Sequence, residues 1–184
     1  MADFWNVNSD PKRQFRWFMT IGGMASTPKS VINTWQLKTA KKPSYQVTET
    51  PHQYVAHTFH FPGRIIWQPI ELTFVDPSGT GDSTGNTTAA LVEILKEGGY
   101  HAPTDADTAR VSFSKSKFAN ALGDVEINQI DHANVIIDCW TMVNCFPTNV
   151  DFGTLDYASE ELVINSMTLR YDYATWAPTQ TKSG

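Results

Sequence analysis

ELVINSMTLRYDY, residues 161–173, alternates along its length: Val163, Met167, Leu169, Tyr171 and Tyr173 fall on one side, and Ser166, Thr168, Arg170 and Asp172 on the other. A period of two places successive side chains on opposite faces of an extended chain, so the segment reads as a strand with one buried face. Working upstream, strands are expected at Val135–Val143, Val125–Ile130, Ile65–Val75, Tyr54–Phe61, Tyr45–Glu49 and Val31–Thr39. Another is expected at Phe15–Ile21, where Phe15, Trp17, Met19 and Ile21 alternate before Gly22-Gly23. Pro51, Pro62 and Pro69 confine their segments to edges, bulges or strand ends, because proline has no N–H to give to a ladder.

From Asp76 the character changes. DPSGTGDSTGNT is a run of turn-forming residues without periodicity, hence a loop. In TTAALVEILKEGG, Leu91, Ile94 and Leu95 recur at helical spacing, which predicts a helix over about 84–97. Ser83 or Thr84 could cap its start, and Gly98-Gly99 stand where a residue of positive φ ends a helix. One helix among many strands, with no strand–helix alternation and no internal repeat, implies a mainly β fold. The expected architecture is an antiparallel β-barrel or sandwich with one flanking α-helix. A single domain is expected over 1–176, with an N-terminal arm at about 1–14 and a flexible C-terminal tail at 177–184.

With 184 residues the chain can bury a core without outside help. Aromatics reach 12%, which suits sheets and buried protein interfaces. No apolar run is long enough for a membrane span, and MADFWNVNSDPKRQ lacks a secretory layout. Cys139 and Cys145 read as buried free thiols of a protein made in a cytosol. The sequon Asn86-Thr87-Thr88 has no glycosylating context. The net charge of −5 is uneven: residues 1–70 hold eight Lys or Arg against three acids, whereas 71–184 hold six against sixteen. Such polarity fits a subunit whose basic surface meets a neighbour's acidic one, or charges scattered over a solvated surface.

The search for chemistry returns little. His52, His57 and His60 invite a metal, but His57 and His60 face opposite sides of a strand and no Cys or carboxylate pair completes a set. GTGDSTG lacks the Gly-Lys-Ser/Thr ending of a phosphate loop. Asp105 with Asp107, and Glu160 with Glu161, sit in polar turns where nothing would shift a pKa. No nucleophile elbow is present. Expected catalytic, metal and cofactor residues are therefore none, and the chain reads as a building block and not an enzyme.

The C-terminal third, CWTMVNCFPTNVDFGTLDYASEELVINSMTLRYDYATW, resembles the tail tube proteins of T4-like contractile phages. The resemblance rests on Phe146-Pro147-Thr148-Asn149-Val150, then Leu155-Asp156-Tyr157, then a final strand closing at Tyr171 and Tyr173. DPKRQFRWFMTIGG and TPHQYVAHTFHFPGRIIWQPIELTFVDP are similar to the longer branch of that family. It implies hexameric rings stacked into a tube inside a contractile sheath, with double-stranded DNA leaving through the lumen. Implied partners are further copies, the sheath protein, baseplate or tube-initiator proteins, the tape-measure protein, and DNA held without sequence-specific binding. The implied location is the phage tail in the virion, after synthesis in the bacterial cytoplasm.

Pro147 and Asn149 are expected to turn the chain between two strands. An acidic lumen would let DNA slide, since a basic one would hold phosphate through counterion release. Lys12, Arg13, Lys41 and Lys42 are candidate inter-ring contacts, lying outside the expected strands. Rival readings are a tube-initiator or baseplate paralogue, a tube subunit of a non-phage contractile injection system, and a small β-barrel binding module or enzyme.

Overall fold

A computed structural model describes residues 11–22, 32, 34–78 and 86–178. Its strands are β1 Trp17–Ile21, β2 Leu37–Ala40, β3 Ser44–Tyr54, β4 His57–Gln68, β5 Ile70–Val75, β6 Val125–Ile130, β7 Ile136–Val143, β8 Phe146–Asp151, β9 Ile164–Arg170 and β10 Tyr173–Ala177. Its helices are α1 Thr87–Glu97 and α2 Lys115–Leu122. A first sheet runs β1-β6-β7-β10, a second runs β2-β5-β9-β8, and β3 pairs with β4 alone. All pairings are antiparallel. No helix among the described residues is long and apolar enough to cross a membrane.

The core lies where the pleat of each sheet turns inward. Ile70 opposes Leu169 and Leu72 opposes Met167 across β5 and β9, and all four are buried. From the first sheet Met19, Val125, Ile127 and Met142 meet them, with Leu91, Ile94, Phe118 and Leu122 of the helices closing the cluster. Both cysteines are free and buried. Burial pushes the Cys145 thiol up to about 12, so it behaves as a small hydrophobe.

Several expectations need correction. Residues 161–173 are not one strand. β9 ends at Arg170, Tyr171 stays in the core, and β10 begins at Tyr173 in the other sheet. Alternation marks the buried face only as far as Tyr171: Tyr173 is exposed, and Ala174 packs against the core in its place. The reversal assigned to Phe146–Val150 occurs earlier, at Asn144, whose φ is 57°. Phe146–Asp151 is itself an edge strand, with a register shift between Pro147 and Asn149. An edge and a bulge are where a sheet tolerates proline. The expected strand Val31–Thr39 is instead a 3-10 turn at Thr34–Gln36 followed by β2, with residues 31 and 33 outside the description.

Among the described residues there are two α-helices, not one. The cap of α1 is Asn86, whose Oδ1 accepts from Ala89 N at 3.0 Å, so the discarded sequon marks a helix start. Residues 83 and 84 lie outside the description, as does most of the loop 77–87. Gly99 has the expected positive φ, 107°. Helix α2 is an addition to the expected elements, although Phe118, Ala121 and Leu122 stand at helical spacing and Gly123 follows with φ 60°. Eight residues with only three buried positions give a weak periodic signal. Tertiary packing sustains the helix: Phe118 lies against Gly98, where an added Cβ would overlap its ring.

Candidate assembly surface

The β3–β4 hairpin is the outward extension of the second sheet. The pair β2–β5 reaches Ala40 opposite Leu72, and after short connections the chain pairs again at Ser44 opposite Gln68 and continues to Tyr54 opposite His57. With 11 residues in β3, the hairpin is roughly 36 Å long at 3.3 Å per residue. Most of it is exposed: its outer half, from Glu49 to Phe61, has no buried residue. Pro51 and Pro62 fit inside it because each strand of a two-stranded ribbon is an edge.

The register assigns the hairpin's faces. Tyr45, Val47, Ile65 and Trp67 share one face at the base, where Trp67 packs 5.5 Å from Tyr45 and 5.9 Å from the buried Tyr171. Between Val47 and Glu49 the register shifts, and β4 carries one residue more than β3. Beyond that bulge the apolar side chains of β4 point the other way. Thr50 opposes Phe61, His52 opposes Phe59, and Tyr54 opposes His57, all on the second face. The opposite face of this outer half carries Glu49, Gln53, Thr58 and His60 together with Pro51 and Pro62. The bulge thus moves the apolar side chains of β4 from the face that carries Trp67 at the base to the opposite face beyond it.

Gly63 makes the bulge possible. An added Cβ there would overlap the Thr48 hydroxyl and lie 3.0 Å from the Thr48 carbonyl oxygen. The Thr48 Oγ1 accepts from Arg64 N at 2.8 Å, holding the extra residue in place. The three histidines do not share one face: His60 Nδ1 lies 3.5 Å from Glu49 Oε2, while His52 packs against Phe61 on the other face, which His57 shares. Among the described residues no group of three metal-ligating side chains occurs. Nothing in the sequence pattern of Tyr45–Gln68 alone marked this hairpin as free-standing, because alternation with an inserted bulge looks like several short strands.

Two of the four basic candidates converge on one carboxylate. Lys12 Nζ and Lys42 Nζ lie 3.0 and 3.2 Å from the same oxygen of Asp138, and Lys42 also donates to Gln129 Oε1 at 2.7 Å. The Trp176 indole N–H donates to the other oxygen of Asp138. Burial opposes ionisation of Asp138, but these donors outweigh it and hold the carboxyl below its usual range. The Arg13 carbonyl accepts from Gln129 Nε2 at 3.2 Å. Lys41 is exposed, and its backbone N–H donates to the Glu71 carbonyl at 3.0 Å.

The signature residues separate. Phe146, Pro147, Thr148 and Asn149 line an apolar groove of about 640 Å³ between β8 and the helices, with Leu91, Phe118 and Met167 on its other walls. Leu155, Asp156 and Tyr157 lie in the loop 152–163 between β8 and β9, where Leu155, Tyr157 and Leu162 are widely exposed. Tyr171 is buried and Tyr173 is half-exposed at the start of β10.

The fold defined by these sheets and helices is similar to that of chains in tube-cap, tube-terminator and sheath–tube structures of contractile injection systems. No protein-family model matches the chain, and no curated protein matches it in sequence. The cryo-EM structure of the anti-feeding prophage tube-terminating cap superposes with a TM-score of 0.65 at 17% identity, covering 97% of this chain and 100% of that one. The sheath/tube terminator of the extracellular contractile injection system PVC, in its extended state, gives 0.62 at 15%, over 93% and 99%. The sheath–tube complex of the same system gives 0.57 at 16%, over 92% and 93%. At these identities the likeness is one of fold.

Proposed function

We propose that this chain is a structural subunit that assembles with its own copies into the tube of a contractile injection machine. The uncovered hairpin carries the reading. A two-stranded ribbon is marginally stable alone in water, and this one presents an aromatic face on which Tyr54, Phe59 and Phe61 stay more than half exposed among the described residues. A large exposed apolar face of that kind marks a protein interaction surface. Covering it with a neighbouring copy would also close the sheet edges that the isolated subunit leaves open.

The signature at Phe146–Val150 and Leu155–Tyr157 narrows the proposal to the inner tail tube of a T4-like contractile phage. There, hexameric rings would stack inside the sheath on baseplate or initiator proteins, around the tape-measure protein and later the DNA. Its place would be the virion tail. The likeness to anti-feeding prophage and PVC structures supports a second reading, a tube or tube-terminating subunit of an extracellular injection system.

Electron microscopy of the purified protein tests both. Six-fold rings and stacked tubes are the expected result. A chain that remains monomeric at high concentration overturns the proposal, and rings that never stack favour the terminating subunit.

A further inference from the structure

We infer that the loop 152–163 of one copy receives the aromatic face of the β3–β4 hairpin of a second copy, head to tail. The inference rests on the tube reading above and names the two surfaces that would join successive rings.

Position comes first. The hairpin leaves the second sheet beyond Ala40 and Ile70, next to the Ile70–Leu169 pair, whereas the loop leaves it at the other end, beside the Val75–Ile164 and Asp151–Ser166 pairs. Copies stacked in one orientation along these strands therefore bring hairpin end to loop end.

Chemistry agrees. The loop exposes Leu155, Tyr157 and Leu162, and residues 151–163 hold four carboxylates with no Lys or Arg. Residues 44–68 hold one carboxylate, Glu49, which faces His60 on the side of the ribbon opposite Phe59. On the aromatic side, Phe59 offers apolar area while His57 and Tyr54 offer donors to carboxylates. Pairing two hairpins with each other would bring no carboxylate to those donors. The groove beside β8 is lined by no acid and carries Lys115, so it lacks the complement too. A loop that accepts and a hairpin that inserts are different surfaces, so the contact is heterologous and repeats without closing, as a growing tube requires.

The test uses two variants of the full chain, Leu155→Asp/Tyr157→Asp in the loop and Phe59→Asp in the hairpin. All three positions are exposed, so thermal melts should match the parent. Each variant alone should stop at single rings, while Tyr157→Phe should still elongate. Preformed rings of the two variants, when mixed, should join into two-ring stacks, because the intact hairpin of one meets the intact loop of the other. Long tubes from either variant alone, or no joining on mixing, would overturn the inference. A parent protein that forms neither rings nor tubes overturns the tube reading instead.

Discussion

Lys42 Nζ lies 3.2 Å from Asp138 Oδ2, 96 positions further along the chain. Lys42 stands between β2 and the hairpin, and Asp138 stands in β7 of the other sheet, so the contact ties the hairpin's root to the opposite layer. Lys12 and Trp176 bind the same carboxylate, which gathers segments from both chain ends onto one buried group.

Asp138→Asn should therefore destabilise the subunit. A neutral amide would leave the ammonium groups of Lys12 and Lys42 without their shared anion, although both lysines are half-exposed and partly hydrated. Losing hydrogen bonds to a charged group costs about 1.5–3 kcal/mol. Denaturant melts of unassembled subunits should show a loss in this range, and an unchanged midpoint would remove Asp138 from its structural role.

Acid should reveal the same cluster. Asp138 is held low against the cost of burial by Lys12, Trp176 and Lys42, and Asp172 is held low by Lys115 and Asn144. A depressed carboxylate stabilises the fold above its unfolded value of 3.8, and that stability is lost as pH falls through the lower folded value. Thermal melts should hold steady from neutral pH to about pH 5 and decline below about pH 4. Asp138→Asn should flatten that acid limb, and an equally steep limb in the variant would assign it to other carboxylates.

The core and the groove should respond unequally to truncation. Phe74 is fully buried on β5, so Phe74→Ala should cost about 3–5 kcal/mol. Phe146 is only partly buried at the groove, and Phe146→Ala should cost less, about 1–2 kcal/mol. Equal losses in denaturant melts would mean that Phe146 is covered more fully than its exposure in the subunit indicates.

Gly63→Val should leave the two main sheets intact, with global stability within about 0.5 kcal/mol. It should nevertheless abolish the bulge, because the new side chain would meet Thr48. The outer half of the ribbon would then slip by one residue and turn its aromatic face the other way. Protease should cut the hairpin faster in isolated subunits, and tubes should fail to form. Normal tubes would show that the bulge does not orient the face.

Reversing Lys41 to Glu tests the candidate inter-ring charge without disturbing the cluster at Asp138, which Lys42→Glu would do. Exposed pairs contribute about 0–1 kcal/mol and are screened over roughly 8 Å at physiological salt. Light scattering should show slower elongation with a shallower salt slope. An unchanged slope would leave stacking to apolar contacts and other charges.

Local pattern alone determined that this chain is a β protein with a helix expected over about 84–97, which forms over Thr87–Glu97. Helical spacing at Leu91 and Ile94 reports burial directly, because a helix turn converts sequence spacing into a face, whereas β6 and β7 bury neighbours on both faces, Asn128 beside Ile127 and Asp138 beside Cys139. The burial of both cysteines followed from their apolar setting. Tertiary structure decided what spacing does not encode, namely which strand pairs with which. It broke Glu161–Tyr173 at Tyr171 and sent the remainder to the other sheet, and it moved the turn from Pro147 to Asn144. It also made a helix of Lys115–Leu122 by setting Phe118 against Gly98. Lys12 and Lys42 look like free surface charges in the sequence, and only the approach of β7 gives them a common carboxylate. The hairpin's uncovered face depends on a bulge at Gly63, and a bulge exists only when two strands are laid side by side.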